Sequence, residues 1–407
     1  MIRTKYKVLK LEDIAVNSKN AIVDGPFGSA LKVKDYVDDG IPVLQGKNIS
    51  NFQFNFSDIR YITPQKAQEL IRSKVEVGDI LFVKIGSIGY SAEVTDLNGY
   101  PFAIIPANLA KVSIDYSKVD KNYLLFWLRS DTVVNYLKKN ASKTAQPALS
   151  LGKIKQIPVV MPSLETQKKI SAVLLKAQEL IDKRKAQIEA LDQLTQSVFL
   201  EMFGDPMLNK KQWPKKKLGN ICSIVRGGSP RPIEKFLGGH IPWIKISDAT
   251  KGDSIYLKNT KEFIIEEGVK KSRLIKKGSL IFANCGVSLG FARIITFDGC
   301  IHDGWLAFED IPNYVNKIFL LKLLNQFTDY FRKTAPDGTQ PNLNTTIMKN
   351  FEVILPPIEL QNRFANIVLK IESQKDLLQK SLEELENNFN SLMQRAFKGE
   401  LFNDKCM

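Results

Sequence analysis

Apolar residues follow two different rhythms along this chain. From Leu164 to Phe203 no Gly or Pro interrupts, and Gly204-Asp-Pro206 supplies the stop expected at a helix C-terminus. A heptad fits this stretch, with Ile170, Ala177, Arg184, Leu191 and Val198 at a and Leu174, Ile181, Ile188, Thr195 and Met202 at d. Shifted by 194 residues, the same frame places Phe364, Ile371, Leu378, Leu385 and Leu392 at a and Val368, Lys375, Leu382, Phe389 and Ala396 at d, before Gly399 closes the run. Only Arg184, Thr195 and Lys375 interrupt the apolar seam, so the pattern predicts two long coiled-coil helices. Pairing them buries both seams in one chain. Either orientation is open from the sequence; an antiparallel pair would set the globular parts at opposite ends of a rod of roughly 58 Å.

The second rhythm is one of short apolar runs between Gly, Pro, Asn and Asp. Ile80-Leu-Phe-Val83 and Ile281-Phe-Ala283 each follow a Gly-containing turn and read as short strands. One helix is expected near 120–139, carrying Tyr123, Leu124, Phe126, Trp127, Leu128 and Tyr136, with a counterpart over 316–333. The fold class expected is therefore α+β.

These features recur in order. Lys10-Leu-Glu-Asp-Ile14 matches Lys217-Leu-Gly-Asn-Ile221 at an offset of 207, and Ile41-Pro42 matches Ile241-Pro242 at 200. Gly78-Asp-Ile-Leu-Phe82 matches Gly278-Ser-Leu-Ile-Phe282, also at 200. Gln146-Pro-Ala-Leu149 then matches Gln340-Pro-Asn-Leu343, and Pro162-Ser-Leu-Glu-Thr-Gln167 matches Pro356-Pro-Ile-Glu-Leu-Gln361, both at 194. An ordered series with a falling offset marks a tandem duplication whose second copy is shorter in two places. The expected division is 1–158 globular, 159–204 helical, 205–352 globular and 353–407 helical.

Composition narrows the class. The 407 residues are 44% hydrophobic and 25% charged, as in soluble globular proteins of two or three domains. No apolar run approaches the ~18–20 residues needed to span a bilayer, and no secretory h-region follows Met1. Cys222, Cys285, Cys300 and Cys406 form no Cys-x-x-Cys pair, and with only His240 and His302 no zinc site is expected. The expectation is a reduced, cytoplasmic protein without membrane contact. A formal charge of +15 suits a polyanionic partner without proving one. Its distribution says more: residues 206–239 hold eight Lys or Arg and one acid, with turn formers mixed in, as in Arg226-Gly-Gly-Ser-Pro-Arg-Pro232.

Catalytic signatures are missing. The chain contains no Asp/Glu-x-Lys triplet of metal-dependent nucleases and no phosphate-binding Gly-x-x-x-x-Gly-Lys-Ser/Thr loop. Its only Pro-Pro pair, Leu355-Pro-Pro-Ile358, opens a helix instead of holding a flipped base. His302-Asp303 and Cys285 read as structural. No catalytic residue, metal or cofactor is expected on this chain.

Asp24-Gly-Pro-Phe-Gly-Ser-Ala-Leu-Lys32, Asp35-Tyr36 and Gly40-Ile-Pro-Val-Leu-Gln-Gly-Lys-Asn-Ile49 resemble the specificity (S) subunits of type I restriction-modification systems. So do Gly78-Asp-Ile-Leu-Phe82, Gln146-Pro-Ala-Leu149 and the Pro-x-Leu/Ile-Glu-x-Gln openings of both long helices, so that the resemblance spans the chain. It implies two target recognition domains, each reading half of a split double-stranded DNA sequence, and two antiparallel helices that bind two methylating (M) subunits. S-adenosylmethionine and adenine-N6 chemistry would belong to those partners, and ATP and Mg to the restriction (R) subunits. Gly25-Pro-Phe-Gly28 against Gly227-Gly-Ser-Pro230 shows that the two recognition loops differ, so an asymmetric target is expected.

Base edges are read by Arg or Lys at guanine and by Asn or Gln at adenine, with Ser and Thr more permissive. Loop candidates in the first copy are Lys32, Lys34, Gln45, Lys47, Asn48, Lys84, Ser87, Lys143, Thr144 and Gln146. In the second they are Arg226, Ser229, Arg231, Lys245, Ser247, Asn284, Ser288, Arg293, Thr339, Gln340 and Asn342. Gln146 and Gln340 hold equivalent places, which suits a framework role better than sequence reading. A self-contained enzyme is opposed by the missing motifs. A coiled-coil adaptor with an incidental basic surface predicts no DNA preference, and a DNA-binding subunit of a combined cutting-and-methylating enzyme is a variant within the same class. If the helices act as a ruler, inserting about four residues near Arg184 (~6 Å) shifts the gap between half-sites by one or two base pairs in a methylation-site map. An unchanged gap refutes the ruler.

Overall fold

The computed structural model describes residues 4–26, 30–249, 255–286, 289–334 and 343–402. The chain divides into two compact units, Met1–Lys183 with Leu382–Met407 and Arg184–Ser381. Each is mixed α+β, and the helices Leu164–Phe203 and Ile358–Lys398 each contribute one part to each unit.

In the first unit, an antiparallel sheet runs in the order Ser91–Glu93, Ile80–Val83, Leu109–Val112, Ile22–Asp24. Its middle strands are buried at every position, which is why their sequences are continuous apolar runs and not alternations. Lys111 is the exception, and its Nζ lies 3.2 Å from the buried Asp79 carboxylate. A second sheet runs Tyr36–Val37, Arg60–Ile62, Ile41–Val43, Ala103–Ile104, Lys74–Val75, with one parallel pairing between Val43 and Ile104. The second unit repeats the plan. One sheet runs Ser223–Arg226, Trp305–Glu309, Leu280–Ala283, Ala292–Ile295, Tyr256–Leu257; the other runs Glu262–Ile264, Leu237–Ile244, Gly299–Ile301, Arg273–Ile275. In the latter, Trp243 pairs parallel with Cys300 as Val43 does with Ile104, while the former adds a parallel edge strand, Tyr256–Leu257 against Ala292–Ile295.

The helix expected near 120–139 is two, Lys121–Leu128 and Asp131–Asn140. Ser130 between them is extended, with φ −66° and ψ 150°, and so begins a new helix instead of continuing the old one. The second unit breaks likewise, into Lys317–Gln326 and Thr328–Thr334.

The repeated Pro-x-x-Glu-x-Gln opening has a mechanical explanation. Buried Gln167 accepts from the Asp120 backbone N–H at 2.8 Å and donates to the Pro162 carbonyl at 2.9 Å. Gln361 does the same, accepting from Asn316 N–H at 2.9 Å and donating to the Pro356 carbonyl at 2.7 Å. Asp120 and Asn316 are themselves the N-caps of the helices Lys121–Leu128 and Lys317–Gln326. One glutamine thus fastens the start of each long helix to the start of its neighbour.

The long helices pair antiparallel. In the second unit Phe364 meets Phe199 and Phe203 at ring separations of 5.5 and 5.3 Å, while Lys375 reaches Asp192 at 2.5 Å, so one helix descends as the other rises. In the first unit, Arg129 donates to Gln178 at 2.8 Å and its guanidinium stacks over Phe126 and Phe389. Every a and d residue of the heptads is buried or half-buried. Phe199, Phe203, Met393 and Phe397 lie off the heptad frame and are also buried, because near their ends the helices cover the globular cores with a second face.

A buried polar cluster interrupts that packing in the second unit. Lys322 Nζ lies 3.3 Å from Glu372, whose other oxygen lies 3.6 Å from Lys375. Burial pushes the Lys322 ammonium below its ordinary pKa, and Glu372 opposes that shift. Removing Lys322 leaves the buried Glu372 charge with fewer compensating contacts, Lys375 at 3.6 Å among them, whereas removing both spares that cost. Lys322→Met alone is therefore expected to cost about 3–5 kcal/mol in urea unfolding, and adding Glu372→Leu to restore most of it. Equal losses in the single and double variants contradict this account.

Candidate nucleic-acid interface

Corresponding backbone hydrogen bonds weld the loops at one end of each sheet. Gly25 N–H donates to Leu109 O at 3.2 Å, and Gly227 N–H to Trp305 O at 2.9 Å. Glycine is required at both places: a Cβ would sit 2.1 Å from the Pro106 carbonyl carbon or 2.2 Å from the His302 oxygen. Lys84 N–H reaches Asn108 O at 2.8 Å, and Asn284 N–H reaches Gly304 O at 2.9 Å. Leu149 and Leu343 N–H then return to the carbonyls of Lys84 and Asn284, at 2.9 and 2.8 Å. Gln45 N–H is capped by the Asn48 side chain and Lys245 N–H by Asp248, each at 2.8 Å. Apart from these two side-chain caps the scaffold is held by backbone, which leaves most side chains at matched positions able to differ.

They do differ. In the first unit Asp24 holds Lys84 Nζ at 2.6 Å, with Arg72 at 3.8 Å, so Lys84 is ion-paired and mostly buried instead of projecting toward a ligand. Ser87 is exposed on the same loop. Beside it, joined through the Ile85–Ala148 bridge, lies the loop bearing exposed Lys143, Thr144 and Gln146; the Thr144 hydroxyl donates to the Gln146 carbonyl at 2.9 Å. Gln45 is half-buried, and exposed Lys47 pairs with Asp58. Asn48 corrects the sequence reading. It is fully buried, and its amide donates to the carbonyls of Asn55 at 3.1 Å and Ser57 at 2.9 Å, so it shapes the loop from inside. Lys32 and Lys34 are exposed on the separate turn leading into the edge strand Tyr36–Val37, where Asp35 caps the Lys32 N–H at 2.7 Å.

In the second unit the candidates gather around Asp303, a residue the sequence offered only as half of an unremarkable His-Asp dipeptide. Arg226 Nε donates to the Asp303 backbone oxygen at 2.9 Å, the Ser229 hydroxyl to its carboxylate at 2.8 Å, and Arg231 approaches that carboxylate at 3.9 Å. Lys245 pairs with Glu262 at 2.5 Å and sits over Trp243. Ser247 is exposed on the turn Ile246–Ala249. Two further expectations are corrected. Asn284 is fully buried, and Arg293 belongs to the strand Ala292–Ile295, where it donates to the carbonyls of Ala292 and Ala249. Ser288, Thr339, Gln340 and Asn342 lie outside the described residues.

His302 sits among these cations. The Gly304 N–H donates to its Nδ1 at 2.9 Å, so in this arrangement the ring proton is on Nε2 and the nearby Asp303 carboxylate is a neighbour, not an ion-pair partner. Burial is the main cause pushing its pKa below 6.5; Lys245, Arg231 and Arg226 add to the shift, and Asp303 opposes it. Among the described residues no group of three His, Cys, Asp or Glu could hold a metal ion, and no helix is long and apolar enough to cross a membrane.

The family profile for the type I restriction modification DNA specificity domain matches twice, over residues 5–190 and 210–387. The type I restriction enzyme MjaIX specificity subunit of Methanocaldococcus jannaschii is 26% identical, covering 97% of this chain and 93% of its own length. The EcoKI specificity subunit of Escherichia coli is 21% identical over 89% of this chain and 83% of its own. Two solved structures share the fold. One, from a study of complex assembly and conformational transition of the type I R-M system, has TM-score 0.61 at 17% identity, covering 98% of this chain and 100% of that chain. The other, the S subunit from M. genitalium, has TM-score 0.52 at 16% identity, covering 98% and 97%.

The His302 environment carries a pH signature. Because the folded state favours the neutral ring, the unfolded chain binds more protons just below pH 6.5, and the contribution of His302 to stability is present above that pH and lost as pH falls through the lower folded value. Unfolding titrations from pH 7.5 to 5 should show this loss, and His302→Gln should flatten it. An identical pH slope in the variant contradicts the assignment.

Proposed function

The chain belongs to the family of type I restriction modification DNA specificity domains, and on that premise we propose that its two units read the two unlike halves of a split, asymmetric double-stranded DNA target. It is a DNA sequence-specificity subunit, the recognising and not the catalytic component. Specificity subunits of these systems act with DNA and with methylating and restricting subunits. Residues 1–158 and 205–352 are proposed as the recognition domains, and 159–204 and 353–407 as the helices that carry two methylating subunits.

The observation that carries the asymmetry is the pairing of like backbone with unlike side chains. At matched places the first unit has Asp24, Gln45 and Ala107 where the second has Arg226, Lys245 and Asp303. Donor and acceptor patterns that differ this much suit different base sequences. The charge of +15 suits a phosphate backbone. Exposed Leu175, Leu180 and Leu194 on the first long helix and Leu369 and Leu377 on the second, the last 65% exposed, support a partner-carrying role for the helices. Adenine-N6 methylation with S-adenosylmethionine, and ATP- and Mg-dependent cutting, are then the partners' chemistry, in the cytoplasm.

The test is modified-base sequencing of DNA from cells co-expressing this chain with its methylating partner. The reading predicts a methylated motif of two different half-sites that vanishes when this chain is omitted. Methylation that persists without the chain, or a motif of two identical halves, overturns it.

A further inference from the structure

We infer that Arg226 reads a guanine in the half-site contacted by the second unit, an inference that rests on the DNA-reading function proposed above. Arg226 is the last residue of the strand Ser223–Arg226 and is exposed, yet it does not dangle. Its Nε–H is committed to the Asp303 backbone oxygen at 2.9 Å, while the Asp303 carboxylate takes the Ser229 hydroxyl and approaches Arg231. The guanidinium is thus anchored through one donor, forms no ion pair among the described residues, and keeps its charge and its terminal fork of N–H donors.

The loop beneath it is rigid. Gly227 and Gly228 N–H donate to Trp305 and Ile301 oxygens at 2.9 and 3.0 Å, and Ser272 donates to the Gly228 carbonyl at 2.8 Å. A cationic fork fixed at both its root and its Nε contributes to recognition with little ordering entropy left to lose. Arg231, 83% exposed on its side chain and held among the described residues by a contact of 3.9 Å, lacks that preparation.

Guanine is the base that matches. In the major groove it presents N7 and O6, two acceptors spaced for an arginine fork, whereas adenine puts an N6 donor where the second acceptor is needed. The matched residue in the first unit, Asp24, carries the opposite charge and is neutralised by Lys84 at 2.6 Å, so the position varies in the sense expected of one that distinguishes half-sites.

The experiment compares the wild-type chain with Arg226→Ala and Arg226→Gln, each co-expressed with the methylating partner and read by modified-base sequencing. Arg226→Ala is expected to relax one guanine of one half-site by roughly 10- to 100-fold in relative methylation and to leave the other half-site unchanged. Arg226→Gln, whose amide suits adenine N6 and N7, should move that same position from guanine toward adenine. If Arg226→Ala does not fold, the glutamine variant decides alone. A motif unaltered at every position by Arg226→Gln, or methylation reduced uniformly with no position relaxed, overturns the inference; the uniform loss would make Arg226 a phosphate contact. A wild-type chain that directs no motif would sink the proposed function itself, a separate result from any variant's.

Discussion

Two helices of 40 and 41 residues, each with an apolar stripe along its length, cannot stand alone in water. Most of what surrounds them answers that constraint. Within each unit one part of each helix meets the other antiparallel, and near the ends a second face turns onto the globular core through Phe199 and Phe203 or through Met393 and Phe397. Gln167 and Gln361 fix where each long helix begins and tie that start to the helix Lys121–Leu128 or Lys317–Gln326. Lys375, the one charged residue at a d position of the second helix, is answered by Asp192 and Glu372, which gives the pairing a preferred register.

On this frame, recognition is separated from construction. Gly25 and Gly227 bring two loops to within backbone contact, and main-chain bonds at Lys84 and Asn284 close the same end of each unit. Because these contacts are made by backbone, side chains at that end, the capping Asn48 and Asp248 apart, share little structural duty. A self-neutralised Asp24–Lys84 pair in one unit and an Arg226–Asp303–Arg231 group in the other occupy the same framework. Duplication of such a frame is a simple route to two reading heads with different chemistry.

Much of this was legible in the sequence because it is periodic. The falling offset exposed the duplication, and the heptad frame named side chains that are all withdrawn from solvent. Local features were less legible. In the run Tyr123–Tyr136 only Ser130 followed by Asp131, a pair suited to a helix start, marks the break, and the apolar pattern on either side masks it. Asn48 looks like a surface asparagine until the carbonyls of Asn55 and Ser57 close over it, a contact made across a hairpin. Phe199 and Phe203 sit off the seam because a seven-residue repeat describes contact with one partner helix, and these residues have a second neighbour. Asp303 carried no signal at all; its importance comes from three residues that meet it from more than seventy positions away.

The central claim is that a common backbone frame carries interchangeable recognition chemistry, and the most direct measurement is the motif directed by a chimera. Residues 8–160 would be copied in place of 215–354, joining at the matched two-stranded sheets, Lys7–Lys10 with Pro158–Met161 and Lys215–Lys217 with Glu352–Ile354, and the product co-expressed with the methylating partner for modified-base sequencing. A methylated motif built from the first unit's half-site twice is the expected result. Methylation that still requires two different half-sites, from a folded chimera, would contradict it.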